Sequence, residues 1–253
     1  MPEKPNQNDK MLFFEHLEDL RTRILVSLAA VAACSAIAYY YLDRILAVIT
    51  APVGKLVFIS VLEAFSVKLE IAFYCGILLA APVMIHQIYR FLQPALFPEE
   101  KKYFAIGVLS SYALFICGVV FGFYAVVPIG VKILLSYGSD NITPLISFGS
   151  YIGFVASLLI GFGCMFQLPV AVAFLTKLGI ITPEVLTSKR RHAVIVIFLL
   201  AGIITPGPDI FSQVLVAIPT LFLYEISIWV SKYLYKQAPA EPEVELSGMD
   251  QAV

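Results

Sequence analysis

Residues Tyr103–Val131, YFAIGVLSSYALFICGVVFGFYAVVPIGV, contain no Asp, Glu, Lys or Arg. A helix needs about 20 consecutive apolar residues to cross a hydrocarbon core about 30 Å thick, so this stretch is long enough for one span. Gly118 and Gly122 lie one helical turn apart within it, which predicts the close approach of a second helix. The stretch therefore places the chain among integral membrane proteins.

The composition of the whole chain supports the same class. Hydrophobic residues make up 60% of the 253 residues, charged residues 14%, and the mean hydropathy is +0.88. Soluble domains are about 45–50% apolar and about 25% charged, so most apolar side chains here must face lipid. This excludes a soluble enzyme, a secreted disulfide scaffold and a disordered regulator. The net charge of −1 gives no basis for nucleic-acid binding, and the scattered histidines predict no metal or cofactor site.

The apolar runs predict an all-α integral membrane protein with six transmembrane helices, of which the last two are short. A single polytopic membrane domain is predicted over 1–236, followed by a disordered cytoplasmic tail over 237–253. The predicted spans are about 24–42, 69–90, 103–131, 151–176, 193–205 and 210–231. Ala193–Thr205 is well below the usual length. A basic cluster before it and a Pro-Gly-Pro turn after it favour a short complete span over a re-entrant segment.

The distribution of basic residues predicts the orientation. Most lysines and arginines fall on the side of the two termini, which the positive-inside rule places in the cytoplasm. The other side receives only Arg44, Lys55, Lys68 and Lys132. Short spans beside the mid-span residue Gln167 leave two interpretations open. Gln167 either makes a helix–helix hydrogen bond or forms a polar spot in a locally thinned bilayer.

Two predicted cytoplasmic segments combine acidic and aromatic residues. In the first, Phe13–Arg23, Glu15 and Asp19 lie one helical turn apart, and their charge suits a basic partner better than anionic lipid. In the second, Phe91–Lys102, the acids after Pro98 also fit a plain helix start. Together the segments favour recognition of a peptide with cationic and apolar parts, because a carboxylate binds a guanidinium through two parallel hydrogen bonds. Thr182-Pro183-Glu184 predicts a further short helix.

Four motifs resemble the TatC family, the multispanning signal-receptor subunit of the twin-arginine protein translocase. They are His16–Arg23, Leu62–Phe65, Phe91–Leu96 with Glu100, and Thr205–Gln213. The resemblance extends in order from about Phe13 to Val230. It implies a core subunit, not an enzyme, that binds twin-arginine signal peptides at its cytoplasmic face. It also implies transport of folded proteins across the bacterial cytoplasmic (inner) membrane, driven by the proton-motive force.

The resemblance also implies roles for individual residues and partners. The positions implied in signal-peptide binding are His16, Asp19, Arg21, Phe91, Pro94 and Glu100. The other implied positions are Gln167 as an intramembrane polar group, Thr205 and Gln213 in subunit docking, and Asp209 as an outer-side functional acid. For Asp209, plain capping of the sixth span is an equal alternative. The implied partners are signal peptides of folded cargo, small single-span subunits of the TatA/TatB type, membrane lipid and further copies of the chain in a larger complex. The family usually has Glu where this chain has Asp19, and Glu or Gln where it has Gln167.

Two other classes are less well supported. A small six-span ion-coupled carrier tends to contain internal repeats, which this sequence lacks. An intramembrane protease is disfavoured because neither an H-E-x-x-H nor a G-x-S-x-G motif is present.

Overall fold

The computed structural model describes residues 7–53, 56–93, 104–136, 145–205 and 210–236. For residues 7–16, 104, 105 and 236 it describes the backbone alone. The described chain is almost entirely helical. Its elements are α1 Gln7–Tyr40, α2 Leu42–Thr50, α3 Glu63–Leu92, α4 Phe104–Phe121, a π-helical turn Gly122–Val126, α5 Val127–Ser136, α6 Phe148–Met165, α7 Leu168–Lys177, α8 Pro183–Ser188, α9 Arg190–Ile204 and α10 Ile210–Lys236.

The helices confirm the predicted all-α membrane architecture. Within the described ranges, five helical stretches are long and apolar enough to cross a membrane. They are Leu17–Tyr40, Glu63–Leu92, Ile106–Ser136, Phe148–Lys177 and Ile210–Tyr235. The predicted fifth span corresponds to α9, whose 15 residues extend about 22 Å. The helix predicted from Thr182-Pro183-Glu184 is α8, and extended backbone at Thr182 precedes it.

Helix lengths differ from the apolar runs in two places. The sixth helix, α10, has 27 residues and extends about 40 Å. It is therefore not short, which corrects that part of the prediction, because helical backbone continues past the apolar run through Ser231–Lys236. The acidic segment before the first span also continues without a break into it, and together they form the 34-residue α1.

Close contacts between glycines and neighbouring backbones hold the helices together. A Cβ atom on Gly118 would lie 2.5 Å from the carbonyl oxygen of Phe162, so α4 and α6 touch at this point. Gly122 also faces α6, where a Cβ atom would lie 3.4–3.5 Å from side-chain atoms of Leu159 and Phe162. The predicted close approach at Gly118 and Gly122 is therefore confirmed. Phe162 is fully buried at this contact.

The two ends of the bundle are defined by the two ends of α3. The Asp19 face comprises the Asp19 region of α1, the Phe91 end of α3, the Lys177 end of α7, α8 and the start of α9. The Glu63 face lies at the other end of α3 and comprises Glu63, the segment 56–62 and the segment 145–149. Since α3 has 30 residues, the two faces lie about 45 Å apart.

A single carboxylate joins the two loops of the Glu63 face. Oε1 of Glu63 accepts hydrogen bonds from the Ser147 hydroxyl at 2.5 Å and the Gly149 amide at 2.8 Å. Oε2 accepts from the Ile59 amide at 2.6 Å. A short parallel bridge between Val57 and Ser147 lies beside it. Glu63 therefore ties the start of α3 to the start of α6.

Replacing Glu63 with Gln is expected to loosen this face. An amide NH₂ group would replace one of two oxygens that both accept hydrogen bonds, so one donor would face another donor. We expect faster hydrogen exchange at the amides of Ile59 and Gly149, measured by mass spectrometry in detergent. Glu70→Gln is the control, since Glu70 is an exposed carboxylate on the same helix. Equal exchange in the two variants would contradict the role assigned to Glu63.

Candidate functional site

The Asp19 face contains an ion pair between neighbouring turns of α1. Nε of Arg23 donates a hydrogen bond to Oδ2 of Asp19 at 2.8 Å. Nη1 of Arg23 lies 3.5 Å from Oε1 of Gln87 on α3, a long contact. The Asp19 side chain is 37% exposed and the Arg23 side chain 16% exposed. The acid predicted from the sequence is thus accessible, but it already has a cationic neighbour.

An apolar groove adjoins this ion pair between α1 and α3. It has a volume of about 370 Å³. Its polar side chains are Arg23, Ser27 and Gln87, and Phe91 lies at the end of α3. Aliphatic side chains form most of the remaining wall, including Ile24, Leu28 and Ile88. The structure therefore places a carboxylate, an aromatic ring and an apolar groove next to one another.

The other predicted peptide-binding residues are placed only in part. Arg21 is exposed on α1. His16 lies on α1 at a position where only the backbone is described, and Pro94 and Glu100 lie outside the described residues. Of the predicted set, Asp19 and Phe91 lie at the same end of the bundle and are linked through Arg23, which pairs with Asp19 and lines the groove together with Phe91. The sequence analysis did not single out Arg23, although its spacing of four residues from Asp19 is the signal of a helical ion pair.

Gln167 lies where the fourth span changes from α6 to α7. Its Nε2 donates a hydrogen bond to the backbone carbonyl of Ser111 on α4 at 2.8 Å, as the helix–helix interpretation predicts. The side chain also lines a second groove, of about 320 Å³, between α3, α4 and α7. The walls of this groove are mainly aliphatic and aromatic, with Tyr89 and Phe174 among them. Gln167 therefore both joins two helices and gives this groove a polar group.

The two predicted docking residues lie at the end of α9 and on the neighbouring α10. Thr205 is 3% exposed, and its hydroxyl donates to the carbonyl of Ala201 at 2.9 Å. Nε2 of Gln213 on α10 donates to the carbonyl of Phe198 on α9 at 2.7 Å. The outer surface of α9 is apolar and exposed at Ile195, Leu199 and Ile203. Asp209 lies outside the described residues.

An ion pair not predicted from the sequence holds the other end of α9. Nη2 of Arg190 lies 2.8 Å from Oε2 of Glu225, and both side chains are about half exposed. Glu225 lies in the apolar sequence of α10, and its partner is the first residue of α9. Glu225 therefore lies level with the Asp19 face. In the described part of the chain, no group of His, Cys, Asp or Glu side chains has an arrangement that suits a metal ion.

Comparisons with known proteins agree on one family. The family model described as Sec-independent protein translocase protein (TatC) matches residues 15–219. A TatC protein of Carboxydothermus hydrogenoformans is 44% identical over 238 residues, which cover 92% of this chain and 96% of that protein. A TatC protein of Aquifex aeolicus is 37% identical over 226 residues, which cover 86% of this chain and 93% of that protein. A crystal structure of the twin-arginine translocase receptor TatC superposes with a TM-score of 0.79 at 36% identity, over 87% of this chain and 99% of that chain.

Proposed function

The chain belongs to the TatC family of Sec-independent protein translocase proteins, and from this membership we propose that it receives twin-arginine signal peptides at its Asp19 face. In this role it is the core subunit of a twin-arginine translocase in the bacterial inner membrane. The distribution of basic residues supports a cytoplasmic location for the Asp19 face and both termini. The chain organises the passage of folded proteins, and the proton-motive force supplies the energy.

The observation that carries this proposal is the accessible Asp19 carboxylate beside an apolar groove. A twin-arginine peptide offers guanidinium groups for the carboxylate and apolar side chains for the groove and for Phe91. The binding set is completed by Glu100 as the second carboxylate, with His16, Arg21 and Pro94 in support. Two carboxylates offer acceptor oxygens to two guanidinium groups, which favours an arginine pair over a single arginine.

The partner subunits dock against α9. Exposed Ile195, Leu199 and Ile203 offer an apolar surface to a single transmembrane helix. Gln213 holds this surface against α10 through its bond to Phe198, while Thr205 bonds to Ala201 at the end of α9 itself. Asp209, which lies outside the described residues, is the functional acid of the outer side. Several copies of the chain assemble with these small subunits in the active complex.

A photo-crosslinking residue at Phe91, and separately at Glu99 next to Glu100, tests the proposal. Each variant is offered a twin-arginine signal peptide and its Lys-Lys counterpart in membrane vesicles. We expect crosslinks with the arginine peptide that fall sharply with the lysine peptide. The same crosslinker at Phe65, which is exposed near the Glu63 face, is the control and is expected to give none. Equal crosslinking of both peptides contradicts the assignment, and no crosslink at either site directs attention to substrate uptake by a carrier.

A further inference from the structure

We propose that Arg23 sets the preference of this receptor for arginine over lysine, by fixing the Asp19 carboxylate in position and cancelling its charge. The inference rests on the proposed function, and it assigns a specificity-determining role to a residue that acts on the arginine pair only through Asp19. Its basis is the contact of 2.8 Å between Nε of Arg23 and Oδ2 of Asp19.

The contact uses only part of what the carboxylate offers. An ionised carboxylate has two oxygens and about four acceptor positions. Arg23 donates to Oδ2, and among the described residues no other side chain bonds to Asp19. Among the described side chains nothing bonds to Oδ1, and the 37% exposure of the Asp19 side chain lets a ligand reach this oxygen. Arg23 therefore limits the movement of the Asp19 carboxylate and bonds to only one of its two oxygens.

Arg23 is itself held in place. Its side chain is only 16% exposed, because it lies against the groove between α1 and α3. It has one turn of α1 on one side and Gln87 of α3 on the other. A covered guanidinium between two helices has few alternative rotamers. Because the two helices fix the Arg23 side chain, its hydrogen bond also fixes the position of the Asp19 carboxylate.

Because Arg23 cancels the charge of Asp19, arginine and lysine side chains of a peptide are expected to bind there with different affinity. Asp19 and Arg23 together carry no net charge, so a distant cation is only weakly attracted to the pair. A lysine ammonium is a compact, strongly hydrated point charge that depends on this attraction. A guanidinium gains in addition from directed hydrogen bonds to a fixed oxygen. A neutral pair with a fixed oxygen therefore favours arginine.

The test is a comparison of two peptides on three receptors. Wild type, Arg23→Gln and Arg23→Lys are reconstituted in nanodiscs as full-length chains. Dissociation constants are then measured for a twin-arginine peptide and its Lys-Lys counterpart. We expect the dissociation constant of the lysine peptide, divided by that of the arginine peptide, to fall by about tenfold in Arg23→Gln. This is the size expected for the loss of one directed hydrogen bond. The lysine peptide binds more tightly to Arg23→Gln because the Asp19 charge is uncovered.

Arg23→Lys separates the two contributions. It keeps the positive charge but lacks the planar donor, so we expect weaker arginine binding with lysine binding as in wild type. It also serves as the second variant if Arg23→Gln fails to fold. Arg44→Gln is the matched control, because Arg44 lies beside Tyr41 at the other end of α1, and its ratio is expected to equal that of wild type.

The possible outcomes distinguish the two proposals. An unchanged ratio in both Arg23 variants overturns the inference, including the case in which both peptides lose affinity by the same factor, as a purely structural role would give. A wild-type receptor that binds the two peptides equally overturns the proposed function itself. A reduced ratio in both Arg23 variants, with Arg44→Gln unchanged, supports the inference.

Discussion

Replacing Asp19 with Asn is expected to weaken binding of a twin-arginine signal peptide by about 30-fold, since losing one partner of a charged hydrogen-bonded pair costs about 2 kcal/mol or more. The low end of that range applies because Asp19 is 37% exposed. Asn keeps the size of the side chain and one acceptor oxygen for Arg23, so the fold is expected to remain intact. Titration of a labelled peptide against the purified receptor measures the change.

Two further variants make this result specific. Asp19→Glu keeps the charge and is expected to retain binding within a few fold. Asp43→Asn removes an exposed carboxylate from α2, toward the other end of α1, and is expected to have no effect. Wild-type affinity in Asp19→Asn would contradict the placement of the peptide site at Asp19. An equal loss in Asp43→Asn would instead indicate a general electrostatic effect.

The sequence predicted the parts of the fold that depend on local hydrophobicity. The all-α membrane class, the short α9 and the close approach at Gly118 follow from apolar runs and small residues, and all three are confirmed. The resemblance to the TatC family is confirmed by the family model and by relatives at 44% and 37% identity. The length of α10 was not predicted, because helical backbone continues into polar sequence once tertiary contacts stabilise it.

The predicted site was less complete for a different reason. Asp19 and Phe91 were predicted because an acidic or an aromatic residue can be recognised in the sequence by its type alone. The ion pair between Glu225 and Arg190, 35 positions apart, was not predicted. Glu63 had no predicted role, because its donors come from Ser147 and Gly149, more than eighty positions along the chain. Such pairings depend on how distant helices pack against one another, and local sequence patterns do not predict this packing.

Replacing Gly76 with Ala is expected to separate α1 from α3 and to lower thermal stability. A Cβ atom at Gly76 would lie 2.8 Å from both the Cα and the backbone nitrogen of Ser35, as well as against its hydroxyl. Backbone atoms of α1 cannot move aside without moving the helix, and overpacking of this kind costs about 1–3 kcal/mol. For a chain of this size we expect a fall of about 5–10 °C in the unfolding temperature. Heating in detergent followed by size-exclusion chromatography measures it.

Gly153→Ala is the matched control, because a Cβ atom there has no neighbour within 4 Å. Both glycines lie inside helices, where alanine is intrinsically favoured by about 0.5–1 kcal/mol, so propensity alone would stabilise both variants. A fall at Gly76 with no fall at Gly153 therefore isolates the contact between α1 and α3. The same contact aligns Asp19 and Arg23 of α1 with Gln87 and Phe91 of α3. Gly76→Ala is accordingly expected to weaken peptide binding below its unfolding temperature as well, and unchanged stability and binding would show that the two helices are not held together at this point.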